Sequence, residues 1–354
     1  MRHRALPAVL DIQEPTKNKV MKIIIPMAGM GKRMRPHTLT TPKPLIKIAG
    51  KTIVNHLLYE ITEVLDESID EINFVIGDFG ERVEEELRDL ARELGATPRI
   101  SYQETPLGTA HAVQCAAATL EGKVIVAFSD TLFKAQFKLD TSADGIIWTK
   151  RVGDPSSFGV VKKDEQGYVD GFYEKPKTWV SDEAIIGVYY FREGAELRDE
   201  IQYLMDNKIM GNGEYQLTDA LENLRNKGKK FTTSVVDHWY DCGNKQATVS
   251  TNQEILKYMK KEDLRSQTAK VENSVILEPC FIGEGVNIKD SVIGPYVSIG
   301  DNTEIDNALI NNSIIQSEAT LKGVNAEDSM VGNHVNIRGN PTDLSVGDYT
   351  NIKL

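Results

Sequence analysis

Residues 22–50, KIIIPMAGMGKRMRPHTLTTPKPLIKIAG, form the stretch that decides the fold class. They open on Ile23, Ile24 and Ile25, a β-branched run typical of a buried strand. Glycines, lysines and arginines follow in a loop whose backbone is restricted by prolines. From residue 22 to residue 59 there is no Asp or Glu, although the formal net charge of the chain is -11. Because glycines let backbone N–H groups approach phosphate oxygens, this basic loop predicts a site for a polyanion.

Two common phosphate-binding loops do not fit this stretch. A Walker A loop needs glycine where Pro26 stands, and it needs Ser or Thr where Arg33 follows Lys32. A dinucleotide fingerprint needs a third glycine at the position of Met34. The Gly-x-Gly pair by itself is equally compatible with a simple turn, so only the longer pattern is informative.

The longer pattern resembles the opening motif of the sugar-1-phosphate nucleotidylyltransferases, also called NDP-sugar pyrophosphorylases. The residues that carry the resemblance are Gly29-x-Gly31-x-Arg33, Pro36, Thr38 and Pro42-Lys43-Pro44-Leu45. The resemblance implies that Gly29 and Gly31 contact the nucleotide. It also implies that Arg33 and Lys43 hold the nucleotide's phosphates. Lys32 departs from the family, which usually has Thr or Ser at this position.

Composition narrows the class of protein. The chain has 354 residues, 40% hydrophobic and 26% charged, which is enough for two domains. Cys115, Cys242 and Cys280 are scattered without metal-type spacing, as expected in a reducing cytoplasm. No apolar run approaches the ~20 residues of a membrane span, and the acidity argues against nucleic acid as the main partner. We therefore expect a cytoplasmic protein that binds neither membranes nor nucleic acid.

The chain is expected to have three parts. Residues 1–20 form an N-terminal extension whose apolar piece is too short for a signal peptide. From 21 to 262, strands and amphipathic helices alternate, which predicts a Rossmann-like, mixed, mostly parallel sheet with ligands at the carboxyl ends of its strands. Strands are predicted at residues 22–26, 71–76, 99–103 and 123–128, and helices at 52–65, 82–94, 109–118, 195–207, 217–227 and 245–259.

Residues 263–354 have a different periodicity. Aliphatic residues step by about six in three sets: Ile276, Ile282 and Ile288, then Ile293, Ile299 and Ile305, then Ile310, Ile315 and Leu321. A helix cannot keep a period of six on one face, whereas a solenoid of short strands can. The segment resembles the hexapeptide-repeat left-handed β-helix that follows the catalytic domain in many members of the family. We expect it to serve assembly or regulation, and the protein to be a homo-oligomer.

A second glycine turn lies in QETPLGTA, residues 103–110. By itself it is compatible with an ordinary strand–helix connection. Beside the first motif it resembles the base-recognition loop of the family, which implies that Gln103 hydrogen-bonds a pyrimidine and that Gly108 lets the ring approach the backbone. A carboxamide has both a donor and an acceptor, which suits the O4 and N3–H edge of uracil or thymine. His111 is interpreted as a helix residue rather than a catalyst.

Two aspartates are candidate metal ligands. Asp130 ends the apolar strand predicted at 123–128, and Asp241 lies in WYDCG, residues 239–243. An Asp at the end of a strand also serves as a helix cap. The resemblance implies that these two residues bind Mg²⁺, and a hard cation held by one or two carboxylates, phosphate oxygens and water is usual Mg²⁺ chemistry. Ser129 and Asn244 depart from the family, which often has Gly and Thr there.

The sugar side of the predicted site depends on FGVV, residues 158–161, and FYEKP, residues 172–176. The second segment alone is compatible with a solvated turn. The resemblance implies that Glu174 contacts sugar hydroxyls, that Lys175 holds the sugar phosphate, and that Gly159 passes close to the ring. Three further residues fall at sugar-pocket positions of the resemblance: Ile185, Gly187 and Thr218. Apolar strand packing and helix capping explain those three equally well.

Together the motifs predict a Mg²⁺-dependent nucleotidylyltransferase that converts an NTP and a sugar 1-phosphate into an NDP-sugar and pyrophosphate. The resemblance is strongest to the long glucose-1-phosphate thymidylyltransferases, which implies dTTP or UTP and glucose 1-phosphate as substrates. No protein nucleophile is needed, because catalysis is positioning and charge stabilisation. Arg33 and Lys43 would steady the triphosphate, and Lys175 would fix the attacking phosphate.

Other classes of function stay open. A UTP-specific glucose-1-phosphate uridylyltransferase is the nearest, because uracil and thymine present the same polar edge. A mannose-1-phosphate guanylyltransferase is disfavoured by His111, where such relatives usually have Gly. A bifunctional enzyme would use the β-helix for acyl transfer with a His general base, but it is disfavoured because His334 is the only histidine of that segment and the coils are few. A non-catalytic regulatory homologue is disfavoured because the charged motif residues are retained.

Overall fold

The structure, a computed structural model, describes residues 20–339 and 344–353. The predicted N-terminal extension, residues 1–20, lies outside these ranges except for Val20. Within them, an α/β unit is followed by a β-helix. None of the helices in the described ranges combines the length and apolarity that a bilayer span requires.

The α/β unit contains short and long strands in alternation with helices. Its strands are β1 (Met21–Pro26), β2 (Lys47–Ile48), β3 (Lys51–Thr52), β4 (Ile69–Ile76), β5 (Thr97–Tyr102), β6 (Val124–Ala127), β7 (Thr131–Lys134), β8 (Gly145–Arg151), β9 (Gly159–Lys163), β10 (Val169–Glu174), β11 (Glu183–Phe191), β12 (Phe231–Val235) and β13 (His238–Asp241). Its helices are α1 (Ile53–Val64), α2 (Glu81–Glu93), α3 (Thr109–Gln114), α4 (Gly194–Asp206), α5 (Leu217–Asn226) and α6 (Lys245–Tyr258).

The central sheet is mixed. Its order is β10-β9-β11-β6-β1-β4-β5, with β8 beside β11 and β12 beside β8. Strands β6, β1, β4 and β5 run parallel, whereas β11 runs antiparallel to β6. The predicted fold class, a mixed sheet flanked by helices, is confirmed. The sequence interpretation did not assign β7 to β13 individually, and these strands supply most of the antiparallel pairs.

Strand β1 lies at the centre of this sheet and is buried on both faces. Ile23 and Ile25 belong to one apolar cluster, with α1 and α2, while Ile24 belongs to the other, with α4 and α5. Successive side chains of a strand point to opposite faces, so an unbroken aliphatic run fits a sheet covered by helices on both sides.

The predicted helices agree with the observed ones to within one residue at each end, with one exception. Helix α3 was predicted to continue to residue 118 but ends at Gln114, and a 3-10 turn, Ala117–Thr119, follows it. Ala116 has φ -99° and ψ 25°, and its N–H bonds to the carbonyl of Val113, three residues back. The chain therefore tightens into 3-10 geometry, as helix ends often do.

The β-helix is built from short strands that belong to three parallel sheets. The strands are β14 (Lys270–Glu272), β15 (Val275–Ile276), β16 (Cys280–Ile282), β17 (Asn287–Lys289), β18 (Val292–Ile293), β19 (Val297–Ile299), β20 (Glu304–Asp306), β21 (Leu309–Ile310), β22 (Ile314–Ile315), β23 (Thr320–Lys322), β24 (Asn325–Ala326), β25 (Met330–Val331), β26 (Asn336–Arg338), β27 (Ser345–Val346) and β28 (Asn351–Lys353). The sheet orders are β14-β17-β20-β23-β26-β28, β15-β18-β21-β24 and β16-β19-β22-β25-β27.

The six-residue step of the sequence corresponds to successive sides of this solenoid. In the second predicted set, Ile293, Ile299 and Ile305 lie on β18, β19 and β20, one in each sheet, and all are buried. Interior positions such as Ile305 and Leu321 then stack on the next coil through parallel pairing. The predicted boundary at 262/263 stays a prediction; it falls between the end of α6 and the start of β14.

The β-helix packs on the α/β unit along residues 36–50. Leu45 shares a buried apolar cluster with Ile314 and Met330 of the β-helix. Gly50 lies directly under the ring of Phe281, where a Cβ would be 2.3 Å from the ring. The segment that carries the basic motif is thus held between the sheet and the solenoid.

His37 lies in this contact. Its side chain is 4% exposed, and its Nε2 lies 3.2 Å from the hydroxyl oxygen of Ser345. Burial lowers the pKa of the His37 ring to about 4, since the charged form loses its hydration; Asp348 opposes the shift and Lys245 adds to it.

We predict that His37 contributes to acid sensitivity. Below pH 6.5 the His37 ring is protonated in the unfolded chain but stays neutral in the folded protein. The free energy of unfolding therefore falls as the pH drops from 6.5 towards 4. This ring should account for about 1.5 kcal/mol of the stability lost between pH 6.5 and 5. Denaturant unfolding at several pH values should show a shallower loss for His37→Gln, and the exposed-ring control His238→Gln should follow the native protein. Equal slopes for native protein and His37→Gln would contradict the prediction.

Candidate active site

The basic loop after β1 is folded around Gly31. This residue has φ 55°, in the left-handed region that favours glycine. A Cβ built on it would lie 3.0 Å from both Lys43 Cβ and Thr38 Cγ2, and the Thr38 hydroxyl donates to the Gly31 carbonyl at 2.8 Å. The spacing of glycine, threonine and lysine in the motif therefore has a structural cause: Thr38 and Lys43 both pack against Gly31.

Lys43 is directed towards the end of the neighbouring strand. It is 8% exposed, and its Nζ lies 3.3 Å from Oδ2 of Asp130. Asp130 follows β6, which runs parallel to β1, and the Ser129 hydroxyl donates to the carbonyl of Pro26 at 3.3 Å. The basic loop and Asp130 thus meet at the carboxyl ends of two adjacent parallel strands, where ligands bind in sheets of this type.

Asp241 reaches the same place through an antiparallel pair. Strands β7 and β13 are paired so that Asp241 stands opposite Thr131, the residue after Asp130. The Asp241 carboxylate accepts from the Gly243 N–H at 2.7 Å, and a Cβ at Gly243 would lie 3.2 Å from Nη2 of Arg33. Cations and carboxylates predicted from separate motifs are therefore neighbours.

Cys242 lies beneath these charges and is fully buried. Burial is the largest cause that raises the pKa of its thiol to about 12, and Lys43 opposes the shift. At neutral pH the thiol stays protonated, so Cys242 does not supply a thiolate nucleophile.

The first cavity has a volume of about 410 Å³. All residues predicted to bind the nucleotide line it: Gly29, Gly31, Arg33, Lys43, Gln103 and Gly108. A Cβ built on Gly29 would meet no described atom within 4 Å, so packing gives no reason for glycine there. The open space is what a ligand approaching the backbone would require.

Gln103 is oriented by His111, which lies in helix α3 as interpreted from the sequence. The Gln103 amide nitrogen donates to His111 Nδ1 at 3.0 Å and to the Gly108 carbonyl at 3.3 Å. Burial lowers the pKa of the His111 ring, which favours the neutral form that can accept this bond. The amide donor is thus engaged within the protein, and the carbonyl oxygen is the group that Gln103 can offer to a ligand.

Gly108 has a structural reason to be glycine. Its φ is 120°, and a Cβ would lie 2.4 Å from the carbonyl oxygen of Tyr215. The backbone of Tyr215 pairs with this loop, since its N–H donates to Leu107 at 2.8 Å and its carbonyl accepts from Ala110 at 2.9 Å. Chain packing therefore requires Gly108 independently of any approach by a base.

The second cavity has a volume of about 840 Å³ and is lined by the residues predicted for the sugar: Gly159, Glu174, Lys175, Ile185, Gly187 and Thr218. A Cβ at Gly159 would lie 3.1 Å from Oε2 of Glu174 and 3.4 Å from Cδ1 of Ile185. It would also lie 3.9 Å from Cγ2 of Thr218. Four residues from four segments of the sequence thus converge on one wall.

Lys175 is an exposed cation of this second cavity. Its side chain is 63% exposed, and Nζ lies 3.7 Å from Oε1 of Glu174. Lys175 has φ 44°, a left-handed conformation, and its N–H donates to the carbonyl of Phe158 at 3.1 Å. The backbone of the Glu-Lys-Pro turn is therefore fixed while the ammonium group stays accessible to a ligand.

The two cavities are adjacent and share lining residues. Both are lined by Arg33, Thr109, Phe128 and Asp130. A ligand in the first cavity and a ligand in the second would accordingly meet beside a guanidinium group and a carboxylate.

Sequence reasoning missed the aromatic pair at the second cavity. The rings of Phe158 and Trp239 are 4.9 Å apart in an edge-to-face arrangement, and both residues line the cavity. Trp239 Nε1 donates to the Thr131 hydroxyl at 2.6 Å, which fixes the indole. Phe158 is the first residue of the FGVV motif and Trp239 the first of WYDCG, but only the fold shows that the two rings touch.

The carboxylate pair fits a hard divalent cation. The Asp130 side chain is 54% exposed, and Asp241 is also exposed. Among the described residues there is no cluster of three or more His, Cys, Asp or Glu side chains able to hold a metal. A structural zinc centre needs such a ligand set, whereas Mg²⁺ is usually held by one or two carboxylates together with substrate phosphates.

Known proteins resemble this chain along most of its length. Residues 22–258 match the nucleotidyl transferase family, and residues 250–340 match the GlmU-like C-terminal hexapeptide family. The glucose-1-phosphate thymidylyltransferase of Streptomyces antibioticus is 30% identical over 330 residues, which cover 85% of this chain and 88% of the relative. The mannose-1-phosphate guanylyltransferase catalytic subunit beta of Drosophila melanogaster is 29% identical over 238 residues, 65% of this chain and 61% of that protein.

A solved structure shares the fold. The crystal structure of UDP-glucose pyrophosphorylase complexed with UDP-glucose superposes with a TM-score of 0.56 at 21% identity, over 68% of this chain and 100% of that chain. The nucleotidyl transferase match spans well over half of the present sequence. The chain therefore belongs to the nucleotidyl transferase family of enzymes, with a GlmU-like hexapeptide-repeat region after it, and its predicted resemblance to the sugar-1-phosphate nucleotidylyltransferases is confirmed.

Proposed function

We propose that this enzyme transfers a nucleotidyl group from dTTP or UTP to glucose 1-phosphate, with release of pyrophosphate. The observation that carries the proposal is the meeting of two cavities at Arg33 and Asp130. Each cavity has its own cation for a phosphate group, Lys43 in the first and Lys175 in the second. Two anionic substrates brought to that border would have their reacting groups side by side.

The chemistry assigned to the site is an in-line displacement. An oxygen of the sugar phosphate attacks the α-phosphorus of the nucleotide, a new P–O bond forms, and the bond to pyrophosphate breaks. Arg33 and Lys43 offset the charge of the triphosphate, and Lys175 holds the attacking phosphate. The protonated thiol of Cys242 agrees with a reaction that uses no covalent protein intermediate.

Asp130 and Asp241 are proposed to hold Mg²⁺. A bound Mg²⁺ would supply charge stabilisation and a template for the phosphate oxygens. Asp130 also lies 3.3 Å from the ammonium group of Lys43, so the same aspartate serves to orient the lysine. The homo-oligomeric state and the cytoplasmic location stay predictions.

Gln103 is the residue proposed to select the base of the nucleotide. With its amide nitrogen bound to His111, its carbonyl oxygen would accept a hydrogen bond from the base. Thymine and uracil carry such a donor at N3, whereas cytosine does not. The name of the Streptomyces antibioticus relative, a glucose-1-phosphate thymidylyltransferase, supports the same class of substrates.

The proposed reaction is tested by measuring pyrophosphate release. The assay would combine dTTP, UTP, CTP or GTP with glucose 1-phosphate or mannose 1-phosphate in the presence of Mg²⁺. We expect release with dTTP or UTP and glucose 1-phosphate, and none when either substrate is omitted. Absence of release with every pair would overturn the proposal, and a preference for GTP with mannose 1-phosphate would overturn its substrate assignment.

Separate phosphate sites predict separate defects. Lys175→Ala should weaken use of glucose 1-phosphate but leave calorimetric NTP affinity nearly intact, because Lys175 lies in the second cavity. Arg33→Ala should reduce NTP affinity about ten- to a hundredfold, the equivalent of one charge-assisted contact of about 1.5–3 kcal/mol. Lys177→Ala is the matched control, since Lys177 is exposed and lines neither cavity. A loss of NTP affinity in Lys175→Ala as large as in Arg33→Ala would assign the Glu-Lys-Pro turn to the nucleotide instead.

The metal assignment predicts a loss of turnover without loss of fold. Asp130→Asn and Asp241→Asn keep the shape of the side chain but remove its charge, so turnover at limiting Mg²⁺ should fall roughly a hundredfold or more. Asp237→Asn is the control: this exposed aspartate lies at the other end of the β7–β13 pair. Near-native rates in both Asp130→Asn and Asp241→Asn would show that these carboxylates do not hold the metal.

A further inference from the structure

The last coil of the β-helix touches the basic loop of the proposed active site. Residues 345–348 lie against residues 36–41, which precede the Pro42-Lys43-Pro44 turn. About 300 residues separate the two segments in sequence; the bond between Thr40 and Asp348 spans 308.

Asp348 makes the polar part of this contact. Its Oδ2 accepts from the Thr40 hydroxyl at 2.5 Å and from the Thr41 hydroxyl at 3.2 Å. Its Oδ1 accepts from the N–H of Asn333 at 2.7 Å and from the Asn333 side-chain amide at 3.2 Å. One carboxylate thus ties two coils of the β-helix to two consecutive residues of the loop.

Close packing surrounds this carboxylate. A Cβ at Gly347 would lie 3.1 Å from both Cβ and the carbonyl oxygen of Pro36, so a larger residue would make this contact tight. On the other side of the contact, buried His37 approaches the Ser345 hydroxyl at 3.2 Å. The coil therefore contacts the loop segment at three neighbouring points: Pro36, His37 and the Thr40–Thr41 pair.

The contact between the coil and residues 40–41 is coupled to Lys43 through the backbone. Thr41 is two residues from Lys43, and the residues between and after it, Pro42 and Pro44, have a fixed φ. Within the turn, the Leu45 N–H bonds to the Pro42 carbonyl at 2.8 Å. A shift of residues 40–41 would consequently move the backbone of Lys43, whose ammonium group lies 3.3 Å from Asp130.

We propose that Asp348 is a positioning residue of the active site: by binding Thr40 and Thr41 it fixes the loop that places Lys43. In this role the β-helix is needed for the nucleotide side of the reaction, beyond assembly. The inference rests on the proposed function for its kinetic consequence, but the ordering of the loop is measurable without any substrate. Asp348 itself lines neither cavity, so it acts through Lys43 and does not touch the substrate.

The chain offers a matched control at the same corner of an earlier coil. Asp301 accepts from the N–H of Glu284 at 3.0 Å, as Asp348 does from Asn333. Its contact with the α/β unit is a bond from Lys47 at 3.4 Å, between half-exposed side chains. Loss of Asp301 therefore removes a comparable bond within the β-helix and leaves Thr40 and Thr41 untouched.

Hydrogen exchange of the full chain, without substrate, tests the ordering. Asp348→Ala and the isosteric double variant Thr40→Val/Thr41→Val should both raise exchange of the amides in residues 37–46 about tenfold, as expected on losing a hydrogen bond to a charged group. Asp301→Ala should leave these amides as in the native protein. Native exchange of the loop in both test variants overturns the inference, whether or not the enzyme turns over.

Steady-state kinetics tests the consequence. In both variants KM for the NTP should rise and kcat/KM for the NTP should fall about tenfold, while KM for the sugar 1-phosphate changes less than about threefold. A merely unstable protein would lose active fraction without changing either KM. Combining all three substitutions should add less than a further twofold, because both variants break the same bonds. If the effects of the two variants on kcat/KM multiply, or if the loop exchanges faster while the NTP kinetics stay native, the positioning role is overturned. If the native enzyme is inactive with every pair of NTP and sugar 1-phosphate, the proposed function is refuted. The hydrogen-exchange result still decides whether the contact orders the loop.

Discussion

A cation held almost out of water is the constraint on which the rest of this site depends. Lys43 is 8% exposed, and such a charge needs a partner because its desolvation is costly. The partner is Asp130 at 3.3 Å, at the end of the strand next to β1. This pairing requires the carboxyl ends of β1 and β6 to lie side by side. It also requires the loop between Gly31 and Lys43 to fold back towards them. The parallel sheet satisfies both requirements at one edge.

The electrostatic design follows from the same edge. Although the protein is acidic, residues 22–59 contain no Asp or Glu. The carboxylates near this segment, Asp130 and Asp241, come from other parts of the chain. Cations of the loop and carboxylates at or after the ends of strands therefore line the two adjacent cavities, which share Arg33 and Asp130. This arrangement suits a reaction between two anions, in which binding needs positive charge and a metal needs negative charge.

Much of the fold could be predicted because its signals are local. The period of helices α1, α2, α4, α5 and α6 fixed their ends to within one residue, and the six-residue step of the β-helix was visible in its isoleucines. Helix α3 was predicted too long, since its early turn into 3-10 geometry has no periodic signal. Along the two cavities, the residues expected from the motifs all line the expected wall, but their chemical roles remain proposals.

The sequence by itself determined the class of the protein, the charged residues of its loops and the two-part architecture, because periodicity, charge and motif spacing are properties of neighbouring residues. Only the tertiary structure decided that His111 orients Gln103, that the backbone of Tyr215 forces glycine at position 108, and that Asp348 reaches Thr40. Each of these contacts depends on how loops and domains are docked. Docking is set by the shape and burial of whole surfaces, and no local pattern in the chain encodes it.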